Sequence, residues 1–185
     1  MKKWMILGSI GLVACSPETK EAVERRPESE VVAEAKTVAQ AAFERLSGEL
    51  GKAMAEGGPV HAIPFCSSEA GSLTAEVAEA HGVRLARLSD RPRNPEQRAS
   101  GEDLAALLAM REEAKPRVAW ETDGTAVVRL PIVINNPICL NCHGGEEIAG
   151  ETRRVLSEQY PKDQATGYTM NDLRGIWRIE VPPTR

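Results

Sequence analysis

Five consecutive residues constrain this chain more than any others: Cys139-Leu140-Asn141-Cys142-His143. The pattern C-x-x-C-H is the attachment signature of a c-type haem. Each thiol would bond to a vinyl group of the porphyrin, and the imidazole would reach the iron as an axial ligand. The spacing is tight because both sulfurs must meet one porphyrin edge while the next residue folds under the metal. Two competing readings lack support. Half of a zinc knuckle would need further Cys or His ligands at suitable spacing, and a redox dithiol is expected beside a βαβ pattern, which the chain does not contain.

The 185 residues are enough for one domain and a tail. Hydrophobic content of 42% and charged content of 27% fit a soluble globular domain. Aromatic residues make up only 4%, so the core must be mainly aliphatic, and a flat apolar cofactor would add surface that the side chains lack. The net charge of −4 and the absence of a long basic run exclude nucleic acid as a partner, because phosphate binding needs a positive face. The cysteines are Cys15, Cys66, Cys139 and Cys142. Two disulfides would be the default for a short exported protein, but here each cysteine can be given a separate task.

Lys2 and Lys3 form a positive start, followed by an apolar run from Trp4 to Ala14. That run is too short to span a membrane, which takes ~20 apolar residues, so residues 1–14 read as a signal peptide. Leu12-Val13-Ala14-Cys15 resembles a bacterial lipobox, which makes Cys15 the lipidation site and the first mature residue. Several acyl chains on Cys15 would anchor the protein stably. Ser16 at the next position leaves the choice between inner and outer membrane open. Residues 15–29, polar and with Pro17 and Pro27, read as a flexible lipidated tether. Cytochrome c maturation takes place outside the bacterial cytoplasm, so the signal peptide and C-x-x-C-H support each other and imply the periplasmic side of a membrane.

Residues 30–185 form the domain. From Glu30 to Ala55 apolar residues recur in steps of three and four, predicting a long helix that Gly57-Gly58-Pro59 stops. This helix is core packing first and a candidate homodimer interface second. A second helix is predicted over 69–81 and ended by Gly82. That places Cys66 near a helix N-terminus, where the dipole would favour a thiolate. Val83 to Leu88 reads as a strand and Arg91 to Pro95 as a loop. Ser100 with Asp103 fits a capping box for a helix to about Lys115. Two strands, 117–122 and 125–134, flank a two-residue hairpin turn at Asp123-Gly124. After the motif come a short helix over 151–159, a loop holding Tyr160 and Tyr168, and a strand over 175–181 with Trp177, Ile179 and Val181 on one face. A hairpin excludes an all-parallel sheet, so the class is α+β: an antiparallel sheet with helices packed on it.

Several of these pieces together resemble one family: exported single-haem c-type proteins with a PAS-like domain, long catalogued as a domain of unknown function. The resemblance is carried by Cys66 ahead of a helix, Arg93-Asn94-Pro95 and Cys139-Leu140-Asn141-Cys142-His143-Gly144. It continues in Tyr160-Pro161-x-Asp163-x-Ala165-x-Gly167-Tyr168 and Asp172-x-Arg174-Gly175, and covers roughly residues 35–183. Two departures, Glu96-Gln97-Arg98 after Asn94-Pro95 and Asn171 where Gly is common, touch loop detail rather than the motif. The resemblance implies a PAS-like antiparallel sheet flanked by helices, with one covalently attached haem c at its side. It also implies iron ligation by His143 and an upstream cysteine, Cys66.

Residue chemistry alone leaves the sixth iron position divided between Cys66 and Met170, a methionine being the usual partner in cytochromes c. Met54, Met110, His61 and His81 rank behind. The resemblance favours Cys66. A thiolate would stabilise the ferric state and give a low potential, and its loss would open a site for a small ligand. Candidate partners of the haem propionates, or of the loops, are Arg91 and Arg93, with Arg153, Arg154 and Lys162 behind them. The expected function is redox or small-ligand sensing through a separate periplasmic signalling or redox partner, the alternative being a membrane-anchored electron carrier. No distal acid–base set points to an enzyme.

Overall fold

The computed structural model describes residues 24–183. The signal peptide, Cys15 and most of the tether lie outside the described residues. Helix α1 spans Glu28–His81, 54 residues in one kinked rod. It starts two residues before the predicted boundary, and Arg26 folds back onto Glu30 and Glu34, each at 2.7 Å. Gly57 (φ −160°, ψ 21°) and Gly58 (φ 65°, ψ −160°) leave the helical conformation, so the first helical segment stops where predicted, but the second resumes at once at Pro59 instead of at residue 69. Gly58 occupies a conformation open in practice only to glycine. Pro59 then falls in the first turn of the resumed helix, where its missing N–H costs nothing. Pro64 lies further in and faces solvent, while Ala62 and Ile63 are buried. Burial of that face outweighs the two prolines that argued for a loop. Gly82, at φ 65°, ends α1 as predicted: its N–H reaches Glu79 and the Val83 N–H reaches Ala78.

Strands β1 (Arg84–Leu88), β2 (Arg117–Trp120), β3 (Ala126–Val133) and β4 (Leu173–Val181) form one antiparallel sheet in the order β1-β4-β3-β2. The α+β architecture with a long N-terminal helix is as expected. Side chains alternate across a strand, and each face takes a different helix. Val31, Ala35, Val38 and Ala42 of α1 lie on Ala126, Val128, Leu130, Trp177, Ile179 and Val181. The alanines let the rod approach closely, and each buried aliphatic side chain contributes about 1.5–3 kcal/mol of transfer free energy. On the opposite face α2 (Gly101–Glu112) sets Leu107 and Met110 against Ile176 and Ala99.

Two local expectations are corrected. The Ser100 side chain makes no cap bond. Asp103 instead turns to the sheet, where Arg129 Nε donates to it at 2.6 Å and Arg178 Nε lies at 3.2 Å. Arg129 is buried, and a buried guanidinium has the stronger demand for a carboxylate. The hairpin between β2 and β3 is also longer than two residues. Gly124, at φ 86°, donates to the Glu121 carbonyl at 3.1 Å, and the Glu121 N–H donates to Thr125 at 2.9 Å. This is a turn followed by a left-handed glycine.

Among the described residues no helix is long and apolar enough to cross a membrane.

Candidate functional site

Asn136 opens the motif loop, its Oδ1 accepting from the Ile138 N–H at 3.0 Å. A 3-10 turn, Pro137–Cys139, runs directly into α3 (Leu140–His143). Positions three apart on a helical turn share a side, so the local backbone brings Cys139 and Cys142 to one side. Both are half-buried. Cys139 meets Ile134, Ala165 and Tyr168. Cys142 meets Ile63 of α1 together with Ile148 and, from α4 (Gly150–Gln159), Val155 and Leu156. Gly144 closes the turn, where a Cβ would lie 2.6 Å from the Leu140 carbonyl oxygen.

The loop over 160–168 clamps this turn. The Gly167 N–H donates to Gly144 at 2.6 Å and the Tyr168 N–H to His143 at 2.9 Å. The His143 Nδ1 sits 2.8 Å from the Ala165 carbonyl. A carbonyl can only accept, so Nδ1 carries the proton and Nε2 keeps its lone pair. Burial pushes the His143 imidazole well below its ordinary pKa, with Arg93, Arg174 and Arg87 acting in the same direction. It is a neutral ring with a fixed tautomer, the state a metal ligand requires.

Cys66 comes from the resumed half of α1, in the helix body and not at a helix start. The dipole argument for its thiolate therefore fails, and burial raises its pKa, opposed by the Arg87 and Arg93 guanidiniums. The structure does bring Cys66 to the motif: its charge would oppose ionisation of the Cys142 thiol, which burial also raises. Tyr160 shares this corner; burial raises its phenol against a hydrogen bond with Ser67. Of the other candidates, Met170 is 37% exposed, Met110 of α2 is buried against the sheet with Ile176, and His61 pairs with Glu56 at 3.0 Å. Met54 lies before the kink, and His81 is exposed at the end of α1.

Arg91 and Arg93 hold loops. Arg93 Nε meets Asp163 at 3.0 Å, and its Nη2 donates to the carbonyls of Cys142 and Ala165. Arg91 donates to the Gln164 and Thr166 carbonyls, 4.4 Å from the centre of the Tyr168 ring. Arg153 donates to Ile148 and Gly145, and Arg154 pairs with Glu158. Lys162, with Ser67, Arg93 and Tyr160, lines a cleft of about 250 Å³ beside Cys66. Sequence reasoning missed Arg87 and Arg174, whose Nε atoms are buried without a partner. The signal for Arg87 was available: it shares strand parity with Leu85, which faces the core under α1.

These residues fit a c-type haem. Two thiols and an imidazole with a fixed tautomer are presented by one turn, a third thiol lies near enough to act electrostatically on Cys142, and the unpartnered Nε atoms of Arg87 and Arg174 would suit an anionic cofactor. Among the described residues no three His, Cys, Asp or Glu side chains converge on a metal site, so an iron here would draw its other donors from the cofactor.

Residues 20–182 match the model of the Tll0287-like family. The fold is similar to the crystal structure of the cyanobacterial heme-protein Tll0287, with a TM-score of 0.58 and 23% identity over 86% of this chain and 98% of that one. No curated protein matches.

Proposed function

The chain belongs to the Tll0287-like family, and on that footing we propose that it is a lipid-anchored protein of the periplasmic side of a bacterial membrane that carries one covalently attached haem c and reads redox state or a small ligand through it. The solved structure it resembles is that of a heme-protein, which supports the cofactor. The observation that carries the reading is the neutral His143 ring, held by the Ala165 carbonyl directly after the two thiols. Cys139 and Cys142 would hold the porphyrin, and His143 Nε2 and Cys66 would be the donors to its iron. When bound, the haem supplies a one-electron couple and a coordination position.

Sensing is favoured over simple electron transfer by how the two donors are mounted. His143 is locked by its own loop and by the 160–168 clamp. Cys66 sits on α1, a different element, beyond the bend at Gly57-Gly58. One donor can therefore move without opening the loop that holds the other. A separate signalling or redox partner would receive the change.

The test is expression with export and haem-attachment machinery, then absorption spectra of both redox states with and without carbon monoxide. Carbon monoxide binding on reduction supports sensing, whereas retention of both ligands in both states would mark an electron carrier. Cys66→Ala should shift the ferric spectrum and raise the potential. An unchanged ferric spectrum would remove Cys66 from the iron.

A further inference from the structure

Buried charges and buried donors require partners, and the arginines of the site divide on whether Nε finds one. Arg93 Nε has Asp163, and Arg91 Nε has the Gln164 carbonyl. Arg87 and Arg174 have no carboxylate among the described residues; Arg174 Nη1 donates to the Arg91 carbonyl at 3.4 Å, but the Nε of each is buried without a partner. Burial pulls both guanidiniums below their ordinary pKa. Each is nonetheless held firmly. Arg87 stands opposite Trp177 in the β1–β4 register, its guanidinium 5.9 Å from the centre of that ring. Its nearest ionisable neighbours include Cys66 and Tyr160.

Arg174 is placed by an irregularity of the sheet. Ile132 pairs with Gly175 and Val133 pairs with Leu173, so Arg174 is the unpaired residue of a β-bulge. Bulges re-aim side chains and recur beside functional sites. The guanidinium of Arg174 lies 5.4 Å from the centre of the Tyr168 ring. The bulge is locked on both sides. Ser89 Oγ donates to the Arg174 carbonyl at 2.9 Å, and a Cβ on Gly175 would come within 2.4 Å of the Leu88 carbonyl oxygen.

We propose that Arg87 and Arg174 are the paired seat for the two carboxylates of the cofactor, Arg87 on the Cys66 side and Arg174 on the Tyr168 side. The inference rests on the haem reading above. A guanidinium presents a planar fork that matches a carboxylate. The two arginines of the site with an unpartnered Nε match in number the two carboxylates that a haem c brings. Arg91 and Arg93, the sequence-based candidates, are positioning residues for the loops.

The experiment uses the full, exported and matured chain. Arg87→Met and Arg174→Met are compared with wild type by intact mass, by the propionate-bending band in the resonance Raman spectrum, and by midpoint potential. Each variant is expected to keep the mass of covalent haem, shift the band and lower the potential, because a cation that favoured the reduced state is gone. The double variant should shift furthest. Arg154→Met, which removes the same charge from the surface, should change neither readout. If a Met variant does not accumulate, Arg87→Lys and Arg174→Lys replace it: exchanging the fork for a point charge should still move the band. Haem present with an unmoved band in both positions overturns the seat alone, and would mean that an anion from solution compensates these arginines. A wild-type chain without covalent haem overturns the seat together with the haem reading.

Discussion

Under α1 the sheet is closed by side chains that fill space, whereas around His143 the structure is closed by side chains aimed at backbone carbonyls. Val31, Ala35, Val38 and Ala42 meet Val128, Trp177, Ile179 and Val181 without a polar atom between them. At the other end Arg91, Arg93 and His143 each address a carbonyl of the loop over 160–168. Apolar contact is non-directional and tolerates small changes of shape. Carbonyl-directed contacts tolerate little, because a buried partner left behind keeps its full desolvation cost. The two regions should therefore answer differently to conservative substitution.

The largest effect is expected from Arg93→Met. Arg93 and Asp163 are only 12% and 11% exposed, and removing one member of such a pair costs about 3–5 kcal/mol. Urea unfolding measures it, and a loss below 1 kcal/mol would erase the contrast between the regions. Gly175→Ala comes next. The new methyl group meets the Leu88 carbonyl at 2.4 Å, and overpacking of this kind costs about 1–3 kcal/mol. Thermal unfolding reports the loss, with separation of β1 from β4 visible as faster amide exchange. Ile179→Val, in the apolar region, should cost only about 1 kcal/mol and leave the haem spectrum untouched; a spectral change would show that the two regions are coupled.

The smallest effect concerns the hairpin. Hydrogen bonds from Thr125 hold the Asp123 carboxyl below the usual carboxylate range. A carboxyl with a lowered folded pKa stabilises above its unfolded pKa, and that contribution fades as pH falls toward the folded value. Asp123→Asn should thus lower stability slightly at neutral pH and flatten its fall below about pH 4.

What the sequence disclosed follows the same division. The apolar spacing of α1, the stop at Gly82 and the alternation of Trp177, Ile179 and Val181 are periodic signals, and they were legible. The motif turn was legible because its spacing is a chemical requirement. The restart of the helix at residue 59 escaped because Pro59 and Pro64 speak for a loop, while the burial of Ile63 against α4 is a tertiary fact. Asp103 looked like a cap because Arg129 and Arg178, its partners, lie on strands remote in sequence. Arg174 escaped for a related reason: an arginine at a strand end reads as surface until the bulge is known.

The strand order β1-β4-β3-β2 also has a kinetic consequence. The strand that lies between β1 and β3 is the last of the four to leave the ribosome. Leu85 finds Ile179, and Val128 finds the same residue, only after residues 173–181 have been made. Contacts so distant in sequence slow folding. Until residues 173–181 arrive, β1 has no neighbour in the sheet and α1 has only part of its floor. The nascent chain therefore lacks a closed core until β4 has emerged, although α1 and the first three strands are synthesised well before it.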